Sequence, residues 1–304
     1  MKKFIIVLLS ALAIAFVADR VLALGVDALY KSSNATDPYK VNRVVRDVKT
    51  DVVFMGSSRC HHNYVPSIIA DSIGLSVYNA GLWGMQNIYF QYSLFQLLLD
   101  RYQPKAIVYE VHPIDILSTP YSGLERLNTL SPFIGQNADV DSLFRQADTY
   151  CYYKLSHLYR YNGGLMDYIA GTLFVNNSQA DGGYKPLDMH VKADEMTDEF
   201  DFPDDAGKMK LFNQFIDTCQ SRGIQLVFIS SPMYHRSQST LRQFARFDSI
   251  AKARDIVFLD FTERKPLCDS TALFADRGHF NDDGARYYSR LIAPELRSVI
   301  KAAK

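Results

Sequence analysis

Two short stretches carry side chains whose types and spacing suit covalent acyl chemistry. The first is GSSR, Gly56 to Arg59, which follows the apolar run DVVFM and sets Ser57 beside Ser58. The second is DRGH, in which Asp276 and His279 stand three residues apart ahead of a terminal helical pattern. A serine hydroxyl needs a base to take its proton. An imidazole serves best when a carboxylate holds its Nδ1–H and Nε2 faces outward. A D-x-x-H turn offers that division of labour, so the two stretches together suggest a Ser-His-Asp set. Taken singly, each has a plain structural reading: a serine N-cap on a strand-to-helix turn, and a solvated Asp-His turn.

Such side chains must be positioned by rigid elements. Apolar runs recur at 51–55, 75–79, 106–111, 225–230 and 256–260. Between them lie amphipathic stretches such as Met85 to Tyr102 and Lys208 to Gly223, the last glycine suited to a helix C-cap. Continuous apolar runs with helical neighbours indicate strands buried on both faces of a parallel sheet. The alternation predicts an α/β fold, a three-layer α/β/α sandwich around a central parallel sheet. Ligands in open sheets bind beyond the carboxyl ends of the strands, where GSSR would fall with a helix N-terminus beneath its serines. Residues 117–205 contain no clear strand and are read as an insertion capping those strand ends. Within it, Tyr152, Leu155 and Tyr159 have the spacing of a core-facing helix stripe, the alternative being a stacking surface for sugar rings.

Together the segments resemble the SGNH (GDSL-like) hydrolase superfamily, over about residues 51–304 apart from the insertion. The resemblance implies an SGNH/flavodoxin-like sandwich. Its Gly-Asp-Ser block matches Gly56, Ser57 and Ser58, which makes Ser58 the implied nucleophile. Its Asn-x-Gly block matches Asn79, Ala80 and Gly81, so the amides of Ser58 and Gly81 are the implied oxyanion donors. Its Asp-x-x-His block matches Asp276 and His279. The Gly-x-Asn-Asp block is altered: in VYEVHPIDI, Ile114 stands where the family has its asparagine and Asp115 follows. The side-chain donor to the oxyanion is thus missing; a substitute would come from the insertion or from SSPMYH at 230–235, or else the catalyst is slow or selective. With YNAGLWG and YEVHP, the chain looks most similar to extracytoplasmic SGNH-like O-acyltransferases of the alginate O-acetylation and teichoic acid D-alanylation type.

Other residues near these blocks have plainer readings. Arg59 and Glu110, expected on adjacent strand ends, would form a bidentate pair stiffening the nucleophile loop, with solvated charges as the alternative. His112 shares a strand face with Glu110 and could reach the pocket or pack beneath the insertion. His61 and His62 adjoin Cys60, yet neighbouring side chains rarely converge on one ion and no carboxylate cluster accompanies them, so no metal is expected. Cys60, Cys151, Cys219 and Cys268 form no ligand pattern; one or two disulfides or free buried thiols are both open.

The chain has 33 Lys+Arg and 33 Asp+Glu, so no basic field points to nucleic acid. Lys2 and Lys3 precede the apolar run from Phe4 to Ala18, which spans about 22 Å, short of a ~30 Å hydrocarbon core unless the helix continues through Asp19 and Arg20 into VLALGV. On that continuation, Arg20 would snorkel and Asp19 would sit at the interface. Residues 1–24 are thus a signal peptide cut near Val21–Ala23 or an uncleaved anchor. The resumption of apolar character and the lack of an A-x-A site favour the anchor. Residues 25–50 read as a polar stalk. The expectation is an extracytoplasmic protein of a bacterial-type cell envelope, anchored or secreted. It would make an acyl-Ser58 intermediate, need no cofactor, and pass the acyl group to or from an envelope glycan, with a membrane acyl-export protein as a potential partner. A secreted carboxylester hydrolase and a non-catalytic glycan-binding scaffold are the alternatives.

Overall fold

The computed structural model describes residues 1–84, 87–120, 123–162, 164–175, 181–192, 202–234 and 237–300. Five strands lie where the apolar runs predict them: β1 Val52–Met55, β2 Val77–Asn79, β3 Ala106–Glu110, β4 Gln225–Ser230 and β5 Val257–Asp260. They form one all-parallel sheet in the order β2-β1-β3-β4-β5. The chain leaves β1 toward one edge and returns to the other side at β3, so the connections diverge above the carboxyl ends of β1 and β3. A crevice opens at such a switch point.

Eleven α-helices are described: α1 Lys2–Ser32, α2 Thr36–Asn42, α3 Ser58–Asn63, α4 Pro66–Ile73, α5 Ile88–Leu99, α6 Ala138–Phe144, α7 Tyr150–Leu155, α8 Leu165–Leu173, α9 Ala206–Ser221, α10 Gln238–Ala253 and α11 Asp282–Val299. The period of two along the strands divides the core. Val52, Phe54, Ala106, Val108, Val227 and Ile229 face α4 and α11, through Ile69, Tyr288 and Ile292. Val53, Met55, Ile107, Tyr109, Leu226 and Phe228 face α5, α9 and α10, through Phe95, Phe215 and Phe247. The three-layer sandwich is therefore present. At the end of α9, Gly223 takes φ +68°, and its amide and that of Ile224 close onto the helix carbonyls of Gln220 and Cys219.

The insertion sits elsewhere than the sequence suggests. Every residue of α5 except Tyr89 is buried, and a helix apolar on all sides needs a cover beyond the sheet. The 3-10 helix Leu124–Phe133 and α6 supply it, burying Leu127, Leu130, Phe133, Val140 and Phe144. This described part of the insertion is thus a lateral layer over α5 rather than a cap on the strand ends. Residues 181–191 of the insertion do run beside the site: Gly182 O accepts the Asn79 amide at 2.8 Å, and Leu187 O accepts the Asp282 amide at 3.0 Å. The tyrosine stripe also differs, because α7 ends at Leu155 and a separate 3-10 turn, Leu158–Tyr161, follows. Tyr152 and Leu155 are exposed, whereas Tyr153 and Tyr161 are the buried rings.

Residues 25–50 are no free stalk. They hold the end of α1, then α2 and a π-helix Arg43–Asp47, and Tyr30, Lys40, Val41, Val44 and Val48 are buried against the domain. Their polarity in sequence hides pairing: Asn42 Nδ2 donates to Tyr30 O at 3.0 Å and Lys40 Nζ to Gly183 O at 2.7 Å. All four cysteines are free thiols, three of them buried and Cys151 exposed.

Candidate active site

The nucleophile turn is shaped by what surrounds Gly56. Its φ is +148°, and a Cβ there would meet Glu110 Cβ at 2.9 Å and Cys60 Cβ at 3.0 Å. Glycine is therefore required to turn β1 sharply into α3 against β3. Ser57 becomes the N-cap and is buried, while Ser58 is the first helical residue and is partly exposed. As the first helical residue, Ser58 has an amide with no intrahelical acceptor.

DRGH forms a tight turn just before α11. Asp276 Oδ1 accepts the amides of Gly278 at 2.8 Å and His279 at 2.9 Å, which fixes the carboxylate beside its own histidine. The His279 Nδ1 lies 2.8 and 2.9 Å from the two carboxylate oxygens, and Nε2 lies 2.7 Å from Ser58 Oγ. Burial pushes Asp276 up, but its bonds to the His279 ring and the two amides overcome this and hold it at about 2. The carboxylate thus stays ionised and selects the tautomer with the proton on Nδ1, leaving Nε2 to accept from the serine hydroxyl. Among residues singled out in the sequence, Ser58, His279 and Asp276 are brought into one hydrogen-bonded line across 221 positions.

Asn79 acts as a support for the nucleophile helix, whereas Gly81 differs from the oxyanion role that the motif implies. Asn79 Nδ2 donates to the carbonyls of Cys60 at 2.7 Å and Tyr64 at 2.9 Å, holding α3 from the end of β2. The Gly81 amide donates to Asn79 Oδ1 at 3.0 Å, so it is engaged within the chain and is not presented to an oxyanion. A Cβ on Gly81 would lie 2.6 Å from the His61 amide; this glycine lets β2 pack directly on α3. Ile114 is buried in a 3-10 turn, Pro113–Asp115, and offers no side-chain donor.

Arg59 and Glu110 do meet, through Nε and Oε1 at 3.0 Å, with both side chains buried. The contact is single rather than bidentate because Ser231, just past the end of β4, shares it. Arg59 Nη2 lies 2.9 Å from Ser231 Oγ and also donates to Ser231 O. Glu110 Oε1 accepts the Ser231 amide at 3.0 Å and its hydroxyl at 2.9 Å, and Oε2 accepts the Tyr64 hydroxyl. Asn63 then ties this brace to the DRGH turn, donating to Ser231 Oγ at 2.8 Å and accepting the Phe280 amide at 3.0 Å. Asn63 and Tyr64 were not apparent as site residues in the sequence. Their only signal is position, at and just past the end of the helix that Ser58 begins.

His112 caps the 3-10 turn: its Nδ1 accepts the Ile114 amide at 3.3 Å, and its own amide donates to Asp115 Oδ2 at 3.1 Å. Its ring packs edge-on against Phe244 of α10. Burial, then the charges of Arg59 and His279, push it down to about 3, so it is neutral. His62 is likewise held at about 3 by burial and by His279, whose ring it meets edge-on at 5.5 Å, and its Nδ1 lies 2.8 Å from Lys185 O. His61 turns the other way, with Nδ1 2.9 Å from Gly81 O and against Lys40 Nζ. Of the SSPMYH segment, Ser230 and Ser231 are taken up by Asp260 and by the brace, and His235 lies outside the described residues.

No protein-family model matches this chain. No curated protein matches it either. Among solved structures it is similar to a Desulfitobacterium hafniense protein assigned to the lipolytic G-D-S-L family, at 11% identity and TM-score 0.41, covering 80% of this chain and 98% of that one. It is also similar to a Bacteroides fragilis protein assigned as an acylhydrolase, at 13% identity and TM-score 0.45, covering 86% and 96%. A third, assigned as a platelet activating factor protein from Streptococcus pneumonia, has 10% identity and TM-score 0.45 over 91% and 98%. At these values the chemistry of this chain rests on its own side chains.

Proposed function

We propose that this chain is a serine-dependent acyl-transfer enzyme of the SGNH type, working outside the cytoplasm at the membrane surface. The observation that carries the reading is the line Ser58 Oγ to His279 Nε2 at 2.7 Å, with Nδ1 on the Asp276 carboxylate at 2.8 Å. Ser58 Oγ attacks the carbonyl carbon of an acyl ester as His279 Nε2 takes its proton, and the imidazolium is steadied by Asp276. The tetrahedral oxyanion collapses, the leaving oxygen receives that proton, and the acyl group stays on Ser58. An acceptor hydroxyl then loses its proton to His279 and attacks the acyl-serine; as that adduct collapses, His279 returns the proton to the departing Ser58 Oγ, which restores both residues.

The acceptor is a glycan hydroxyl in the preferred reading and water in the second. Of the donors expected at Ser58, Gly81 and position 114, the Ser58 amide is the one left ready, because Gly81 is bonded to Asn79 and Ile114 has no side-chain donor. Loss of one donor costs about two to three orders of magnitude, which suits a slow hydrolase that relies on a bound acceptor. The experiment is to give the full chain in detergent an activated acetyl ester, with and without neutral and uronic oligosaccharides. Transfer predicts acetylated oligosaccharide by mass spectrometry and faster release of the leaving group. Release of acetate alone at every acceptor concentration would leave the esterase reading.

A further inference from the structure

We propose that the α7–α8 region of the insertion is seated in the membrane, forming a collar around the outer end of α1 that fixes how the catalytic domain meets the lipid surface. The proposal rests on reading α1 as a membrane helix. That helix is long and apolar enough to cross a bilayer. From Phe4 to Ala18 it covers only about 22 Å, whereas from Phe4 to Leu24 it covers about 31 Å, close to the hydrocarbon thickness. Beyond Asp19 and Arg20 its outward side stays apolar, with Val21, Leu22 and Leu24 exposed by 61%, 57% and 71%.

The obstacle to that longer span is the charged pair, since a carboxylate facing hydrocarbon is costly. The insertion removes it. Asp19 accepts the Ser156 hydroxyl, the His157 amide at 2.8 Å and the Leu158 amide at 3.3 Å, and pairs with Arg20. Arg20 also donates to Leu155 O at 3.1 Å and lies 4.0 Å over the Phe16 ring. Every described partner of the pair is thus on α1 itself or at the junction of α7 with the following turn. That junction sits at the same depth as Asp19, within the span the apolar surface demands.

The outer surface of the junction suits that depth. Leu155 and Met166 are each 74% exposed, and Tyr152 and Leu165 stand open beside them. Leu165 and Val26 line one cavity, and α8 runs from there along α1 until Thr172 meets Leu29 and Ser32. The apolar residues at the start of α8 therefore lie on the membrane side of the domain. The lipid that covers Val21, Leu22 and Leu24 is continuous with this patch. Exposed Lys154 on α7 adds a charge complementary to anionic headgroups.

The test uses the full chain in nanodiscs of phosphatidylethanolamine and phosphatidylglycerol, with exposed Cys151 replaced by serine. Bimane is then placed singly by Leu155→Cys, Met166→Cys, Val17→Cys on α1, and Arg290→Cys on the exposed side of α11. Quenching by doxyl lipids is compared with quenching by aqueous iodide. The collar predicts doxyl quenching at Leu155 and Met166 of at least half that at Val17, and none at Arg290. Quenching at Val17 with iodide-accessible labels at Leu155 and Met166 would overturn the collar and keep the anchor. Labels at 155 and 166 shielded from both quenchers would show a second copy covering the patch, which also overturns it. No doxyl quenching at Val17 would remove the anchor on which the proposal rests.

Discussion

Individual side chains around Ser58 divide into those that take part in proton movement and those that hold them still. Asp276 reaches its position through two amides of its own turn, so the base and its orienter are set by four consecutive residues. This is why DRGH was legible in the sequence: the relation is local. The brace was only half legible. The sequence pairs Arg59 with Glu110, but Ser231, which converts a bidentate pair into a shared one, is a serine 172 residues from Arg59 with no pattern of its own. Glu110 is fully buried and the chief counter-charge to Arg59. Glu110→Gln, which keeps the shape and removes the charge, leaves a buried guanidinium unbalanced, a loss of about 3 kcal/mol or more. The thermal midpoint of the full chain in detergent should fall, and ester turnover with it. An unchanged midpoint and turnover would show that the pair has no consequence.

At the scale of elements, α3 is the part on which the site depends. It is a short helix, and each end is held from another strand: Asn79 of β2 binds the carbonyls of Cys60 and Tyr64, and Ser231 beyond β4 binds Arg59 and Asn63. The strands were readable because burial on both faces writes continuous apolar runs. Residues 25–50 look like a stalk because SSNATDPYK at 32–40 is polar and Lys40 and Asn42 are buried by pairing, although Val41, Val44, Val45 and Val48 behind them do carry a helical apolar spacing. Lys40 is the clearest case: burial pushes it down to about 7, and it sits against His61 of α3 and Gly183 O. Between about pH 7 and the unfolded lysine value of about 10.4, the unfolded chain holds more protons than the folded one. On this account stability rises with pH through that window and is lower below it. Lys40→Met should flatten the rise seen in the parent by chemical denaturation at pH 7, 8.5 and 10; an identical slope in both would show that the lysine is charged and solvated in the fold.

At the scale of the whole molecule, the sheet presents Ser58 and the EVHP turn at the switch point between β1 and β3, and α11 follows directly on the turn that carries His279. The insertion, legible only as a break in alternation, divides between covering α5, clasping α1 and lining the site with residues 181–191. Its placement depends on contacts more than 130 positions apart, such as Ser156 with Asp19, which no local pattern reports. The central claim for the assembled molecule is that Ser58, and not Ser57, carries the acyl group. It is tested most directly by treating the full chain with a serine-directed phosphonate and measuring intact mass beside Ser58→Ala and Ser57→Ala. The account predicts a single adduct on the parent and on Ser57→Ala, and none on Ser58→Ala. An adduct that survives Ser58→Ala, or no adduct on the parent, would contradict it.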